Sequence, residues 1–507
     1  MVPGVGSHRR WGREPQLILL LAVFAGLRVL VYASSFPFFA NIDEHMHVDA
    51  VLKYAGGYLP NPGNDAYESE MVNYLALYGS PEYLLRDDPN SPSPAVPPPP
   101  VWERPSGALA GQIDVIAEFL ARRKNLEAHQ PPGYYLVAGA WMRLGSVLGL
   151  EGGRLLYFTR GLSALLFACF ITLVWYFLEE LYPDDPLMRI GVPLLIAAFP
   201  QDALYYMSPD AVSPVIVGSG FFLAVRLARG LPGGPGVYAL TGLAAGFALF
   251  SKYTNVPLFA VLAVCSVLVL ANRSEPRPTR GELGRLLLAW GAALALPVWW
   301  ATRNLLVFGN ITNTGEKIAK MGWALKPKEL VFDHPLFSIS GSSDFVFDLL
   351  ANFWRGELAW HRHGMSWDWL DGFYVGSSLL LLGLAALALW RRESRAGREV
   401  EAMALGIIGV GVATLATLSL LYDFTDVSVP SAARPYFTQG RLLSSLIAPF
   451  ALVYVRGIQV SANVVPRPWR SRLAWCVLLL IVFMSLGSEI VLSRDVFGSA
   501  YNLLHLP

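Results

Sequence analysis

Charge and cysteine are both scarce in this sequence. Only 15% of its 507 residues are Asp, Glu, Lys or Arg, whereas soluble domains carry roughly 25%. The 39 basic and 38 acidic residues nearly cancel, so the chain has no positive excess with which to bind a nucleic acid. The three cysteines, Cys169, Cys265 and Cys476, all lie in apolar stretches, where packing is favoured over a disulfide or a metal site. These shortages exclude the secreted, disordered and nucleic-acid-binding classes.

Hydrophobic residues, in contrast, make up 54% of the chain, and the mean hydropathy is +0.43. They occur in blocks of roughly twenty residues, the length that a helix needs to cross the core of a bilayer. Lipid cannot satisfy backbone hydrogen bonds, so each block is expected to be helical. The sequence therefore predicts an all-α polytopic membrane protein with about 11–13 transmembrane helices. The candidate spans are roughly 16–36, 131–149, 155–182, 187–206, 209–228, 236–251, 254–272, 284–307, 373–390, 403–422, 441–457 and 473–492.

Arginine-rich segments indicate the orientation of these spans, because cytoplasmic loops carry an excess of Lys and Arg. Such segments lie at 271–286, 391–401 and 456–472, and the N-terminus is also basic. If all of them are cytoplasmic, the two long hydrophilic segments, 37–130 and 309–372, are external. The first of these contains thirteen acidic and six basic residues, a net charge of −7. The sequence thus predicts two large external loops.

One stretch leaves this topology open. Three apolar spans lie between the basic pair Arg143 and Arg154 and the basic pair Arg226 and Arg229. Flanks on the same side of a membrane require an even number of spans between them. Either one of the three is re-entrant, or the acidic link 179–185 is cytoplasmic and the first basic pair is not.

The densest polar cluster directly follows the first span. Asp43 and Glu44 are adjacent carboxylates at a predicted membrane–water boundary, with His45 and His47 beside them. Partial desolvation strengthens a carboxylate as a proton acceptor, so the pair is a candidate catalytic group. The alternative is a polar helix end that marks the interface.

A metal site in this cluster is a second alternative, because His and Asp are ligand types. Two histidines at i and i+2 diverge on a helix, however, and neither H-E-x-x-H nor C-x-x-C occurs in the sequence. We therefore predict no metal ligand and leave a divalent metal ion open as a cofactor.

Polar residues at the mouths of other spans are further candidates, since ionisable groups are costly to place there. His129 and Gln130 precede two prolines at the start of the second span, and Asp210 follows Ser208-Pro at the start of another. Lys252 is an isolated cation on the predicted external side. The alternative for His129 is an interfacial cap, and the alternative for Asp210 is a place in a helix N-cap; taken singly, each residue favours this alternative.

Two arginines occupy similar positions at span ends. Arg303 lies at the predicted external end of span 284–307, and Arg441 follows Gln439-Gly at the start of span 441–457. Arginine in such a position either extends to lipid headgroups or binds an anion bidentately. If the carboxylates and cations share one membrane face, they suit a reaction in which a nucleophile loses a proton while a phosphate departs.

Several of these motifs together resemble the GT-C superfamily of polyprenyl-phosphate-sugar-dependent glycosyltransferases. The likeness is carried by the Asp43-Glu44 pair after the first span, the His129-Gln-Pro-Pro-x-Tyr-Tyr135 segment and the long first external loop. The closer likeness is to bacterial members related to protein O-mannosyltransferases and aminoarabinose transferases, and to a neighbouring family of polytopic proteins. Motifs of that last family are similar to Pro209-Asp-Ala211, Asn352-Phe-Trp-Arg-Gly356 and Gln439-Gly-Arg441 here.

The resemblance covers residues 16 to about 460 and implies a GT-C-like bundle. It also implies an inverting transfer of a sugar from a lipid-phosphate donor to an acceptor hydroxyl on the external face. Asp43 matches the family's base or acceptor-positioning carboxylate, and Glu44 is its neighbour. Residues 1–460 would form the transmembrane catalytic domain, and 461–507 a C-terminal transmembrane helix and tail.

The remaining site residues are assigned by their chemistry. The expected donor-phosphate ligands are the cationic and amide side chains His129, Gln130, Lys252, Arg303 and Arg441. The expected substrate-binding residues are His45, His47, Asp210, Tyr253, Trp354 and Gln439. Trp354, with Trp360, Trp367 and Trp369, is expected either to stack on sugar rings or to belong to an interfacial aromatic belt.

Two other functions stay open at this point. A transporter or flippase of a lipid-linked or anionic solute would use the same cations as a translocation path, although such proteins often show paired halves that are not visible here. A non-catalytic scaffold or receptor would not need acid and base groups at the lipid boundary. The acceptor would be a lipid, a glycan or a protein. A chain rich in Ala, Gly and Arg suggests the inner membrane of a bacterium, with the site facing the periplasm.

Overall fold

A computed structural model of the chain describes residues 13–40, 43–61, 65–85, 96–105, 107–271, 279–391, 395–426 and 430–507. Five of the basic residues on which the orientation partly rests lie outside these ranges: Arg9, Arg10, Arg273, Arg277 and Arg392. Eighteen α-helices dominate this part of the chain. They are α1 (Arg13–Ser35), α2 (Glu44–Ala55), α3 (Ser69–Tyr78), α4 (Ala108–Ala121), α5 (Gly133–Val147), α6 (Gly152–Leu181), α7 (Val192–Ala197), α8 (Pro209–Ala228), α9 (Pro235–Ser251), α10 (Pro257–Ala271), α11 (Arg280–Phe308), α12 (Gly315–Lys320), α13 (Ile339–Arg355), α14 (Asp368–Arg391), α15 (Arg395–Leu421), α16 (Ile447–Ser461), α17 (Arg467–Leu492) and α18 (Arg494–Phe497).

Shorter elements complete the described structure. Four two-residue strands form two antiparallel pairs, β1 (Ala324–Leu325) with β4 (Tyr422–Asp423) and β2 (Ala359–Trp360) with β3 (His363–Gly364). One π-helical turn, Leu187–Gly191, leads into α7. The 3₁₀ turns are Pro81–Tyr83, Val101–Glu103, Asp202–Leu204, Tyr253–Asn255, Lys328–Asp333, Pro335–Phe337, Gly440–Leu446, Ala462–Val464 and Leu503–His505.

The all-α polytopic fold predicted from the apolar blocks is confirmed. Among the described residues, nine helical segments are long and apolar enough to cross a membrane. They are Arg13–Ser35, Gly152–Leu181, Pro209–Ala228, Tyr253–Ala271, Arg280–Phe308, Asp368–Trp390, Arg398–Leu421, Gly440–Val464 and Arg467–Leu492. The other three predicted spans form shorter helices, α5, α7 with its π-helical turn, and α9.

Ion pairs show which helix ends lie at the same end of the bundle. Arg189 Nη2 lies 2.8 Å from Glu14 Oε2 near the start of α1. Arg226 Nε, near the end of α8, lies 2.7 Å from Glu180 Oε2 near the end of α6. This end of the bundle is named the basal face. The opposite end, where α1 ends and α6 and α8 begin, is named the site face.

The position of α5 shows at which face Arg143 and Arg154 lie, which the sequence left open. Gly133, its first residue, approaches Ser251 so closely that a Cβ atom would clash with it, and its far end packs against the start of α6. Both ends of α5 therefore lie at the site face, and the predicted span 131–149 does not connect the two faces. Arg154 lies beside it, donating to the carbonyl of Pro507 at 3.4 Å. The acidic link 179–185 therefore lies at the basal face, whereas Arg143 and Arg154 do not. This is the second of the two alternatives that the sequence left open.

The segment 187–206 connects the basal face to the site face without being helical throughout. α7 ends at Ala197, and the guanidinium of Arg28 donates to the carbonyls of Ala197 and Phe199 at 2.9 and 2.7 Å. Arg28 also pairs with Glu489 of α17 at 2.7 Å, so the last long helix packs into the same bundle as the first. Irregular backbone is tolerated at membrane depth only where protein encloses it, and this segment is buried.

The centre of the bundle consists of α8 and the segment Gly440–Val464. Their most apolar stretches are 78% and 83% buried, whereas those of the other candidate spans are 22–50% buried. Ser208 starts α8 by accepting a hydrogen bond from the backbone N–H of Asp210 at 3.2 Å, and Pro209 occupies the first helical position. Both central helices therefore begin at the site face with polar residues in their first turns.

Candidate active site

A cavity of about 350 Å³ opens at the site face, among segments that are far apart in the sequence. Residues from the first polar cluster, from the starts of α8 and of Gly440–Val464, and from the turn after α9 all line it. Of the thirteen residues predicted for the site, the following eight line this cavity: Asp43, His47, Gln130, Asp210, Lys252, Tyr253, Gln439 and Arg441.

Asp43 and Arg441 meet at this cavity. Arg441 Nη2 lies 3.5 Å from Asp43 Oδ2, and the two side chains are 17% and 44% exposed. Asp43 adopts a left-handed backbone conformation, with φ of 67°, immediately before α2 begins at Glu44. This conformation is uncommon for residues other than glycine, although Asp tolerates it better than most. It gives Asp43 and Glu44 different directions even though they are adjacent.

Arg441 has a second carboxylate neighbour, Glu357, which the sequence did not single out. Arg441 Nε lies 3.3 Å from Glu357 Oε2. Burial raises the pKa of Glu357 to about 7, even though the charge of Arg441 opposes this shift. Near neutral pH, Glu357 therefore exchanges between its neutral and charged forms while it contacts the guanidinium.

Asp202 fixes the loop that carries Glu357. Its carboxylate accepts hydrogen bonds from the backbone N–H groups of Glu357 and Leu358, both at 2.6 Å. Gly356 precedes them with φ of 86°, and a Cβ atom there would clash with the Asp202 carboxylate. Only glycine combines this backbone conformation with this close approach. The loop is thereby held at a fixed distance from Arg441.

The segment before Arg441 is held against the same loop. Asn352 Nδ2 donates to the carbonyl of Thr438 at 2.9 Å, and Gln201 Nε2 donates to the carbonyl of Phe353 at 2.7 Å. Gly440 lies so close to the backbone of Asn352 and Phe353 that no Cβ atom would fit. The two motifs that the sequence gives as Asn352–Gly356 and Gln439–Arg441 therefore interlock and position Arg441.

Lys252 and Asp210 form an ion pair on another wall of the cavity. Asp210 lies in the first turn of α8, where a carboxylate is favoured by the helix dipole. Lys252 lies at the junction between α9 and the turn Tyr253–Asn255. The pair brings a second cation to the cavity that contains Arg441.

Glu127, Lys317 and His47 form a third polar wall. Burial favours the neutral form of Glu127, but the neighbouring charge of Lys317 outweighs it and lowers the pKa of Glu127 to about 2. Burial also lowers the pKa of His47, whose Nδ1 lies 2.8 Å from the hydroxyl oxygen of Tyr135. His47 is therefore neutral at physiological pH and accepts or donates a single hydrogen bond there.

The remaining wall of the cavity is apolar and aromatic. Its residues come from the second long loop, from the end of α15 and from the segment around Arg441. They are Ile318, Met321, Trp323, Leu418, Tyr422, Phe437 and Leu442. The strand pair β1–β4 holds the second loop against the end of α15. The lining of the cavity thus combines charged side chains with hydrocarbon and aromatic ones.

Glu44 does not line the cavity, contrary to the prediction of a second catalytic carboxylate. Its side chain is fully buried and pairs with Arg160 of α6 at 2.6 and 2.8 Å. It also accepts hydrogen bonds from the backbone N–H groups of Phe39 and Met207 at 2.9 and 3.1 Å. Both carboxylate oxygens are committed to these bonds, so Glu44 ties α2 and α6 to the segments that follow α1 and precede α8.

Trp354, which the sequence predicted to bind substrate, does not line the cavity either. It is completely buried, and its ring stacks between Phe199 and Tyr374 with centroid distances of 4.5 and 4.6 Å. Its indole N–H donates to Ser378 at 2.9 Å. The aromatic faces that do line the cavity belong to other residues, among them Trp323.

Three further predicted residues lie beside the cavity but do not line it. The rings of His129 and Phe308 have centroids 5.0 Å apart, and the Arg303 guanidinium carbon lies 5.4 Å from the Phe308 centroid. His129 and Arg303 thus share one aromatic neighbour away from Arg441. His45 stacks on Tyr67 at 6.1 Å.

The structure adds no metal site to this description. Within the residues that it describes, no group of three or more His, Cys, Asp and Glu side chains is placed to hold a metal ion. No protein-family model and no curated protein matches the chain.

Proposed function

We propose that this protein is a membrane glycosyltransferase of GT-C type, which moves a sugar from a polyprenyl-phosphate donor to an acceptor hydroxyl with inversion. The observation that carries the proposal is the meeting of Asp43 and Arg441, 3.5 Å apart, in a cavity at one end of an apolar helical bundle. Such a donor has a charged phosphate and a hydrocarbon chain. The cavity lining offers cations for the phosphate and apolar side chains for the hydrocarbon chain.

In the proposed reaction, Asp43 accepts the proton of the acceptor hydroxyl as its oxygen forms a bond to C1 of the sugar. The bond between C1 and the phosphate oxygen breaks, and its electron pair stays on that oxygen. Polyprenyl phosphate leaves with one more negative charge than it had in the donor. Inversion requires the base and the oxyanion stabiliser to lie on opposite sides of the reacting carbon, so the sugar would displace the 3.5 Å contact between Asp43 and Arg441 when it binds.

Arg441 is the group that stabilises the departing phosphate in this scheme, with Lys252 as the second cation. Both are held in the free protein by carboxylates, Glu357 for Arg441 and Asp210 for Lys252. A guanidinium presents two parallel N–H groups that match two phosphate oxygens, which an ammonium cannot do. Arg441 therefore contributes more than Lys252 to recognition of the phosphate.

The proposed setting is the inner membrane of a bacterium, with the site face towards the periplasm. The positive excess of the segments on the basal side supports this orientation. The acceptor would be a lipid, a glycan or a protein of the cell envelope.

The test is a reaction in proteoliposomes that contain the purified protein and polyprenyl phosphates carrying different labelled monosaccharides. A transferase converts the donor to free polyprenyl phosphate and moves an equal amount of label to an acceptor extracted from membranes. Asp43→Asn protein in the same liposomes is the control and should leave the donor intact. A flippase, the alternative, would move intact donor between leaflets in the absence of acceptor. Intact, translocated donor in both preparations would overturn the proposal.

A further inference from the structure

A second cavity lies at the basal face, at the far end of the bundle from the site just described. Its volume is about 470 Å³, and it opens between the link before α7, the end of α16 and the start of α17. Three arginines line it, Arg456, Arg467 and Arg470, against one carboxylate, Asp185. Three arginines of the segment 456–472 therefore converge on one cavity, in addition to giving this side of the membrane its positive charge.

The carboxylates at this cavity already have partners other than Arg467 and Arg470. Asp185 Oδ2 accepts a hydrogen bond from Gln459 at 2.7 Å, and Asp185 Oδ1 accepts one from the backbone N–H of Met188 at 3.2 Å. Glu401 is buried and lies 3.2 Å from Arg456 Nε. In the part of the chain that the structure describes, no carboxylate lies within ion-pair distance of Arg467 or Arg470.

These two arginines lie where local forces disfavour positive charge. Arg467 and Arg470 are both in the first turn of α17, the positive end of a 26-residue helix. The residue before the helix is Pro466, which offers no side-chain acceptor to the first N–H groups. Arg470 Nε donates to the carbonyl of Val465 at 3.1 Å, which commits one of the five guanidinium N–H groups and fixes the side chain. A bound anion would offset both the repulsion between the arginines and the unfavourable helix dipole.

The other lining residues indicate what kind of anion fits. Leu187, Val460, Ala474 and Trp475 give the cavity an apolar side next to its cationic side. An excess of arginine on the cytoplasmic side explains why these residues lie at this face, but it does not explain their convergence on one cavity with an apolar wall. Basic pockets between transmembrane helices are typical binding sites for anionic lipid headgroups.

We infer that the basal cavity binds the phosphate of an anionic phospholipid from the leaflet at this face, with Arg467 and Arg470 as its ligands. The first acyl segments of the lipid lie against Leu187 and Trp475. Since this site is distant from the Asp43–Arg441 cavity, the inference is independent of the proposed transfer reaction.

The experiment measures lipid binding by native mass spectrometry. Delipidated full-length protein is titrated with phosphatidylglycerol, with phosphatidylcholine and with inorganic phosphate. Arg467→Gln and Arg470→Gln are compared with Arg472→Gln, a matched control. Arg472 is on the same helix and loses the same charge, but it packs over the ring of Trp469 at 5.1 Å and does not line the cavity. Thermal unfolding of each variant checks that the protein stays folded.

We expect phosphatidylglycerol to bind more tightly than phosphatidylcholine, and each cavity variant to weaken its binding about fivefold. Arg472→Gln should bind as the wild type does, and Arg470→Lys should restore part of the affinity. Equal losses in all three glutamine variants would mean a diffuse surface charge and would overturn the inference. Binding of inorganic phosphate, with the same dependence on the variants but without binding of the lipid, would overturn the assignment to a lipid.

Discussion

Asp43 and Glu44 are adjacent acidic residues, and each has an arginine partner from a distant helix. Glu44 is fully buried and forms two short contacts with Arg160, at 2.6 and 2.8 Å. Asp43 is 44% exposed and has a single, longer contact with Arg441, at 3.5 Å. The first pair is closed to solvent, while the second lies on the wall of a cavity.

The difference follows from one backbone conformation. Glu44 begins α2 and points into the bundle, where backbone N–H groups complete its hydrogen bonds. Asp43 precedes the helix in a left-handed conformation, and its carboxylate faces the cavity instead. A tightly paired carboxylate contributes to the fold, whereas a loosely paired one can exchange its arginine for a substrate. In the proposed reaction, two adjacent acidic residues would therefore serve stability and chemistry separately.

The largest expected effect is on the closed pair. Glu44→Gln removes the charge that compensates Arg160, and breaking a buried ion pair in this way costs about 3–5 kcal/mol. We expect a large fall in the midpoint of thermal unfolding in detergent and a low yield of monodisperse protein. Asp43→Asn, measured in parallel, should unfold as the wild type does. Equal midpoints for Glu44→Gln and the wild type would remove the distinction between the two pairs.

The next effect concerns the open pair. Arg441→Ala should lower kcat/KM for the polyprenyl-phosphate donor by about 10²–10³-fold, because it removes the group that stabilises the departing phosphate. Arg441→Lys should recover part of this loss, since it keeps the charge without the bidentate geometry. The measurement is the initial rate against donor concentration at fixed acceptor. Unchanged donor kinetics in Arg441→Ala would show that phosphate is bound elsewhere.

A smaller effect should come from Glu357, the other neighbour of Arg441. Its pKa of about 7 means that the carboxyl group is mainly neutral below this pH and charged above it. As the pH rises through 7, charged Glu357 competes with the donor phosphate for Arg441, so the KM for donor should rise several-fold. Glu357→Gln should flatten this dependence.

Glu127→Gln is the control for this pH effect. Glu127 has a pKa of about 2 and is charged throughout this range, so its replacement should leave the shape of the pH profile unchanged. If Glu357→Gln keeps the wild-type profile, another group governs the dependence.

The sequence predicted the architecture and part of the site for identifiable reasons. Apolar blocks with the length of a bilayer predict helices directly, because backbone hydrogen bonding leaves no other choice. The clusters at span ends predicted Asp43, Asp210, Lys252 and Arg441, which the fold brings to one cavity. Each is a charged residue at a place where charge is costly, which is a signal that a single sequence contains.

Other features could not be predicted, for physical reasons. The positions of Glu44 and Trp354 away from the cavity depend on side-chain direction, which the φ of Asp43 and the packing of Phe199 determine. Glu357 carries no motif of its own, and only the approach of Arg441 gives it a role. The span predicted at 131–149 is apolar enough to cross a bilayer, yet α5 begins and ends at the site face. Composition cannot distinguish such a helix from a crossing.

The most direct test is the transfer rate of Asp43→Asn per mole of folded protein, in liposomes with labelled polyprenyl-phosphate sugar and a membrane acceptor. We expect a rate at least about 100-fold below that of the wild type, together with an unchanged unfolding midpoint. Near wild-type transfer by this variant would show that the exposed carboxylate of the Asp43–Glu44 pair does not perform the chemistry.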